Sequence, residues 1–335
     1  MSPTARLPSV AATRRQITGG GVTYPHQRPF APVHDRIPYS PIVDRRPITW
    51  PSGARLAVWV VPNVEHYEYL PPRGERDPYP RTPHPDVRRY AYHDYGNRVG
   101  FWRLLEVTDR HDIPCTVSLN AAVLDLYPDV AEAMATRPWA FMSHGLFNTR
   151  FLDGLTPEDE RAFHEECNEV LVRHTGRVFD GMLGPYITGN AWTPDVMAEV
   201  GMRYHADWVH DERPSPLRTA GGADLVALPY SYELNDAPLL MRSAIEGDEY
   251  ARRCIDHFDW LYHEEGARGR LMCLPLHPFA IGQPHRIDAL DRVLAHLRRH
   301  DDVWIATASD IVDHYLAHHH AEELAATSPA SGGGA

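Results

Sequence analysis

Cysteine is scarce: the 335 residues contain four. Cys115, Cys167, Cys254 and Cys273 are scattered and form no CxxC pair, which argues against both a zinc knuckle and a disulfide framework. Cys115 and Cys273 lie in apolar runs and read as small core residues. No segment is apolar enough for long enough to span a bilayer. The N-terminus carries Arg6, Arg14 and Arg15 but lacks the apolar stretch of a secretory signal. These absences together point to the cytoplasm. Basic clusters are missing beyond pairs such as Arg252-Arg253 and Arg298-Arg299, and the formal net charge is −12. Neither nucleic acid nor an anionic membrane is therefore an expected partner. There is no GxSxG elbow, no GxxxxGK phosphate loop and no GxGxxG after a strand, so serine-hydrolase, phosphate-loop and dinucleotide readings lack support. No repeat of fixed period occurs.

What is present is an α/β pattern. Apolar runs at Leu56–Val61, Cys115–Leu119, Ala140–Met142, Phe179–Leu183, Met202–Ala206, Leu225–Pro229, Leu271–Leu276 and Val303–Ala306 read as strands. Amphipathic stretches at Arg98–His111, Pro157–His174, Pro194–Glu199, Asp248–Glu265, Arg286–His300 and Asp310–His318 read as helices between them. Such alternation indicates a parallel α/β fold, and periodicity alone leaves a barrel and an open sheet unresolved. Thr156-Pro157-Glu158-Asp159 and Thr193-Pro194-Asp195 offer helix caps, and Ser309-Asp310 opens the last helix. Residues 1–50, rich in Pro and Arg, read as an extended arm; residues 51–320 form one catalytic domain; residues 321–335, rich in Ala, Ser and Gly, read as a disordered tail.

The strand ends collect polar side chains. Asn63, Glu65 and His66 follow the first run and Asn120 the second. Ser143, His144 and Asn148 follow the third. Asp207, Asp211 and Glu212 follow the fifth; Tyr230, Glu233, Asn235 and Asp236 the sixth; and His277 the seventh. In a parallel barrel these ends share one face, where catalytic residues sit. His277 closes the run LMCLPL, and His144 precedes Gly145, which allows close approach. Aromatics nearby (Tyr67, Tyr69, Trp102, Phe147, Tyr186, Trp208, Tyr230) suggest a planar or ring-shaped ligand.

Several segments recur in the order of a known family: Arg45–Val58 leading into Asn63-Val64-Glu65, Arg98–Arg103, Ile113–Thr116, Ser143-His144-Gly145, Gly181–Pro185, Asp207 with Asp211-Glu212, Pro229–Asp236 and Leu276-His277-Pro278. Over roughly residues 40–318 the chain resembles the polysaccharide deacetylase (NodB homology) superfamily, in its allantoinase-like and cyclic-imide-hydrolase-like branch. The resemblance implies a distorted (β/α)7–8, TIM-like barrel that hydrolyses an amide, cyclic ureide or cyclic imide of a small molecule. Family members pair two aspartates on the first strand; here Glu65-His66 stands there. Glu65 then matches the base and His66 a metal ligand. His144 matches the first of two ligand histidines, and Asn148 replaces the second. His277 matches the late acid. One divalent ion, zinc, held by His66, His144 and Asn148, and a metal-free site both stay open. Asp207 and Asp211 are expected to orient His277 or hold substrate N–H groups. Asn63, Tyr230, Asn235 and Asp236 are expected to bind substrate. The alternatives are a metal-dependent N-deacetylase of an N-acetylated sugar and a non-catalytic ligand-binding barrel. The expected partner is a small molecule, in a homo-oligomer.

Overall fold

The computed structural model describes residues 36–72, 83–264 and 269–327. Strand β1 (Leu56–Val64) is the longest strand and is buried at all nine positions. It is followed by α1 (Val87–Tyr95), a π-helical turn at Gly96–Gly100, α2 (Phe101–Arg110) and β2 (Thr116–Leu119). Next come α3 (Ala122–Leu126), α4 (Pro128–Ala135), β3 (Ala140–Ser143), α5 (Pro157–Thr175) and β4 (Gly181–Met182). The second half runs α6 (Thr193–Glu199), β5 (Tyr204–His205), β6 (Ser215–Leu217), β7 (Leu225–Ala227), α7 (Gly247–His263), β8 (Arg270–Leu276), α8 (Ile287–Leu297), β9 (Val303–Ile305), α9 (Ala308–His318) and α10 (His320–Thr327).

The strands form one curled sheet in the order β6-β7-β5-β4-β3-β2-β1-β8, with β9 paired to β1. Only the β6–β7 pair is antiparallel. β1 pairs with β8 from Leu56 opposite Arg270 to Pro62 opposite Leu276. The sheet does not close through a β6–β8 ladder. Instead Leu271 N donates to the Glu212 carbonyl at 2.7 Å, which gives the distorted α/β barrel that the sequence led us to expect.

Two cores follow from the pleat. Successive side chains on a strand point to opposite faces. Leu56, Val58, Val60 and Val64 pack outward against the helices, with Val117, Leu119, Phe141, Met272, Leu274 and Leu276. Ala57, Trp59 and Val61 pack inside the barrel, with Met142, Tyr204, Ala206, Val226, Leu228, Tyr230, Leu271 and Cys273. Both faces are apolar, as expected of parallel strands covered on both sides.

The helix ends show why the chain turns where it does. Thr156 accepts from Asp159 N at 3.2 Å, Pro157 takes the first helical position, and Gly176 ends α5 with φ +70°. The last barrel helix starts earlier than Ser309: Thr307 caps it, in a reciprocal box with Asp310. Residues 320–327 are helical, which corrects the expectation of a disordered tail from residue 321; residues 328–335 lie outside the described residues. So do residues 1–35 of the expected arm. The rest of that segment is anchored, with Ile48 and Trp50 buried and Trp50 Nε1 donating to the Arg270 carbonyl at 2.9 Å.

Candidate active site

The parity of β1 continues past its end. Ala57, Trp59 and Val61 face the barrel interior, so Asn63, Glu65 and Tyr67 do too. Met142 brings His144 inward by the same count, Leu228 brings Tyr230, and Leu271 with Cys273 brings His277. These residues line one cavity of about 210 Å³, together with His93, Asn148, Tyr186, Ile187, Tyr232, Asn235, Met241, Arg242 and Phe279.

Glu65 sits at its centre. Oε1 lies 3.3 Å from His144 Nε2 and 3.5 Å from His277 Nε2, while the buried Oε2 has no partner among the described residues. Burial alone would raise the carboxyl pKa, but hydrogen bonds and charge from His144 and His277 outweigh it and hold Glu65 well below the usual carboxylate range. Burial likewise opposes the charged form of His277. Asp236 overrides it, with help from Glu65, and pushes the imidazole up to about 10. Asp236 grips that residue twice, accepting from His277 N at 2.8 Å and pairing with Nδ1 at 2.7 Å. This geometry leaves Nε2 of a protonated His277 turned to Glu65.

His144 Nδ1 stands 2.7 Å from the Leu183 carbonyl, which fixes a proton on Nδ1. Facing a carboxylate, Nε2 makes a hydrogen bond only when it too carries a proton. Asn120 braces the strand ends from below: it accepts from His66 N at 2.9 Å and donates to the His144 carbonyl. Asn97 Nδ2 donates to the Glu65 carbonyl at 2.8 Å. Asn63 Nδ2 donates to the Tyr230 hydroxyl at 3.0 Å, and Asn148 Nδ2 to the Tyr67 hydroxyl. Asn148 Oδ1 is buried without a partner among the described residues. The Tyr67 ring stacks on His93 at 3.6 Å, and Phe279 meets His93 edge-on at 4.4 Å. Burial lowers the His93 pKa to about 4, so that ring is neutral, while the Arg89 guanidinium lies 4.9 Å from the Tyr67 ring centre.

Four expected site residues do not line the cavity; one of them, Asp236, was expected to bind substrate and instead has both oxygens engaged by His277. The parity that admits Glu65 turns His66 outward. Its ring packs among Tyr90, Tyr127 and Phe147, with Nδ1 3.0 Å from the Tyr127 hydroxyl. Asp207 has the opposite parity from Tyr204 and Ala206. It does not reach His277; it accepts from Gly184 N at 2.8 Å and lies 3.1 Å from His205. Asp207 thus anchors the segment after β4, where Tyr186 and Ile187 adopt left-handed φ of 59° and 57° and reach the cavity wall. Strain of this kind persists only where surroundings enforce it. Asp211 pairs with Arg45 at 2.5 Å and lines a separate cavity of about 750 Å³ between residues 37–47 and α10. The orienting carboxylate is Asp236. His93, Arg242 and Phe279 went unnoticed because α1 and the turn after Asp236 gave no apolar period to place them.

A divalent ion fits this arrangement poorly. Zinc in proteins takes three or four N, S or carboxylate ligands; with His66 turned away and His277 held by Asp236, His144, Glu65 and the weak amide oxygen of Asn148 are left on the cavity wall. Among the described residues, the three ligand-type side chains with donor atoms all within 4.8 Å are Asp259, His296 and His300, on and just after the outer helices α7 and α8.

Comparison with known proteins agrees with the barrel. Residues 84–205 match the polysaccharide deacetylase family model. A Schizosaccharomyces pombe protein, whose name assigns it provisionally to the polysaccharide deacetylases, is 25% identical over 308 residues, covering 83% of this chain and 94% of its own. The crystal structure of Puue allantoinase superposes with a TM-score of 0.70 at 27% identity, covering 81% of this chain and 93% of that one. A structure from Pseudomonas aeruginosa PAO1, likewise assigned provisionally to the polysaccharide deacetylases, gives 0.70 at 28% identity, with 81% and 94% covered.

Proposed function

We propose that this chain, whose residues 84–205 match the polysaccharide deacetylase model, hydrolyses carbon–nitrogen bonds, and that the bond it cleaves is an amide, cyclic ureide or cyclic imide in a small molecule. The observation that carries this reading is the Glu65 carboxylate held between His144 and His277 in a cavity of about 210 Å³. That volume lies below the usual range for ligand pockets, and its aromatic rims suit a compact, flat substrate better than a polymer strand.

Amide hydrolysis needs a base for water, a donor for the developing oxyanion and an acid for the nitrogen. Glu65 takes the proton of a water that attacks the carbonyl carbon. The Nε2–H of His144 receives the negative charge that grows on the carbonyl oxygen. As the carbon–nitrogen bond breaks, the Nε2 proton of His277 passes to the leaving nitrogen, while Asp236 keeps the ring aligned through Nδ1. Asn63, Asn148, Tyr230 and Asn235 supply amide and hydroxyl groups at the wall. No step is assigned to a metal.

The test is turnover of a panel of ureides, imides and N-acetylated sugars. Glu65→Gln and His277→Ala should each lower kcat at least about 10³-fold with unchanged circular dichroism. Near-wild-type turnover by either variant removes that residue from the mechanism. The names of the curated relatives favour a second reading, N-deacetylation of a sugar. Release of acetate, rather than of a ring-opened acid or ammonia, would establish it.

A further inference from the structure

The cavity has a charged mouth as well as a charged centre. Arg242 ends the π-helical turn Pro238–Arg242 and lines the cavity. It is exposed, and no carboxylate or carbonyl partner is recorded for it among the described residues. Other arginines nearby are engaged: Arg150 with Glu68, Arg89 with the Tyr186 hydroxyl and Arg286 with main-chain carbonyls.

The turn beneath Arg242 is fixed at several points. Asn235 Oδ1 accepts from Ala237 N at 3.1 Å. Ser243 N donates to the Pro238 carbonyl at 2.9 Å, and Ile245 N to the Leu239 carbonyl at 3.2 Å. Arg286 Nη2 donates to the Leu240 carbonyl at 3.2 Å. Leu239 and Leu240 are buried. The same short segment therefore holds Asp236 against His277 and carries Arg242 at the rim. π-helical turns of this kind recur at functional sites. Tyr67, His93 and Phe279 add rings to the cavity wall, with the Arg89 guanidinium 4.9 Å from the Tyr67 ring centre and bonded to the Tyr186 hydroxyl.

We propose that Arg242 forms an anion subsite, so that the preferred substrate is a small amide or ureide bearing a carboxylate, its acyl carbon at Glu65 and its carboxylate at Arg242. This rests on the carbon–nitrogen hydrolase reading of the same cavity. Guanidinium suits the role because its planar fork pairs with a carboxylate through two parallel hydrogen bonds. An anion drawn to the rim is also kept away from the Glu65 carboxylate.

Matched pairs test it: hydantoin-5-acetate against hydantoin-5-acetamide, and N-acetylated amino acids against their amides. In the wild-type enzyme kcat/KM should favour the charged member at least about tenfold, carried in KM and weakening as salt is raised. Arg242→Gln should erase the ratio, and Arg242→Lys should keep part of it. Calorimetric binding of each pair to the Glu65→Gln variant reads the preference separately from turnover. No charge preference in either readout, or the same preference in Arg242→Gln, overturns the proposal. Charge-selective binding without wild-type turnover of any pair keeps the anion subsite and sinks the hydrolase reading. Turnover without charge selectivity does the reverse.

Discussion

Glu65 and His277 are a coupled pair, and their titration sets the pH behaviour of the site. Glu65, held low, stays ionised through the working range, and His277, pushed up to about 10, stays protonated. Both the proposed base and the proposed acid are thus in the required form from weakly acid to weakly alkaline pH. Loss of the His277 proton is expected to lower kcat/KM as pH approaches 10. Asp236→Asn removes the main charge that raises His277, so its alkaline limb should move down toward neutrality. An unmoved limb in a pH–rate series would show that Asp236 does not set the acid. The same shift bears on stability. His277 is raised in the folded state, so its contribution is full below its unfolded value near 6.5 and is lost as pH rises through about 10. Chemical denaturation of wild type should show that loss, and Asp236→Asn should lack it.

At the scale of elements, pleat parity decides who enters the site. Strand ends were legible in the sequence: each of the eight apolar runs overlaps a strand, only β6 lying outside them among the described strands, and Asn63, Glu65, His144, Tyr230 and His277 reach one cavity. Which of two adjacent residues points inward was not. Glu65 and His66, or Ala206 and Asp207, differ only in parity, and a strand apolar on both faces carries no alternation to count. The π-helical turn at Gly96–Gly100 is the other element the site depends on. A Cβ on Gly100 would stand 2.0 Å from the Pro278 carbonyl, immediately after His277, and Gly282 packs on the same spot. Gly100→Ala should cost about 1–3 kcal/mol in urea titrations and lower kcat by moving His277. A variant as stable and active as wild type would show that this contact is not needed.

Over the whole molecule, the segment before β1 and helix α10 are tied to the barrel through one buried arginine. Arg213 is buried and held by two contacts: Nη1 donates to the Arg46 carbonyl at 2.7 Å, and Nη2 pairs with Glu323 at 2.6 Å. Glu323 also accepts from the Tyr315 hydroxyl at 2.8 Å, so α10 is part of the fold. Glu323→Ala should destabilise the protein by about 3 kcal/mol, because it strands a buried guanidinium, yet leave kcat unchanged; thermal melts alongside turnover check both halves. No helix among the described residues is long and apolar enough to cross a membrane. The homo-oligomer that the sequence suggested remains a proposal for light scattering. By itself the sequence determined a parallel α/β alternation and the chemical types gathered at its strand ends, because apolar runs and caps are local signals; the barrel was implied by the family resemblance. Only the tertiary structure decided that Asp236 rather than Asp207 or Asp211 serves His277, that His66 is excluded, and that His93 and Arg242 join the cavity. Those outcomes depend on strand parity and on loops folding back from distant positions, and no local interaction encodes either.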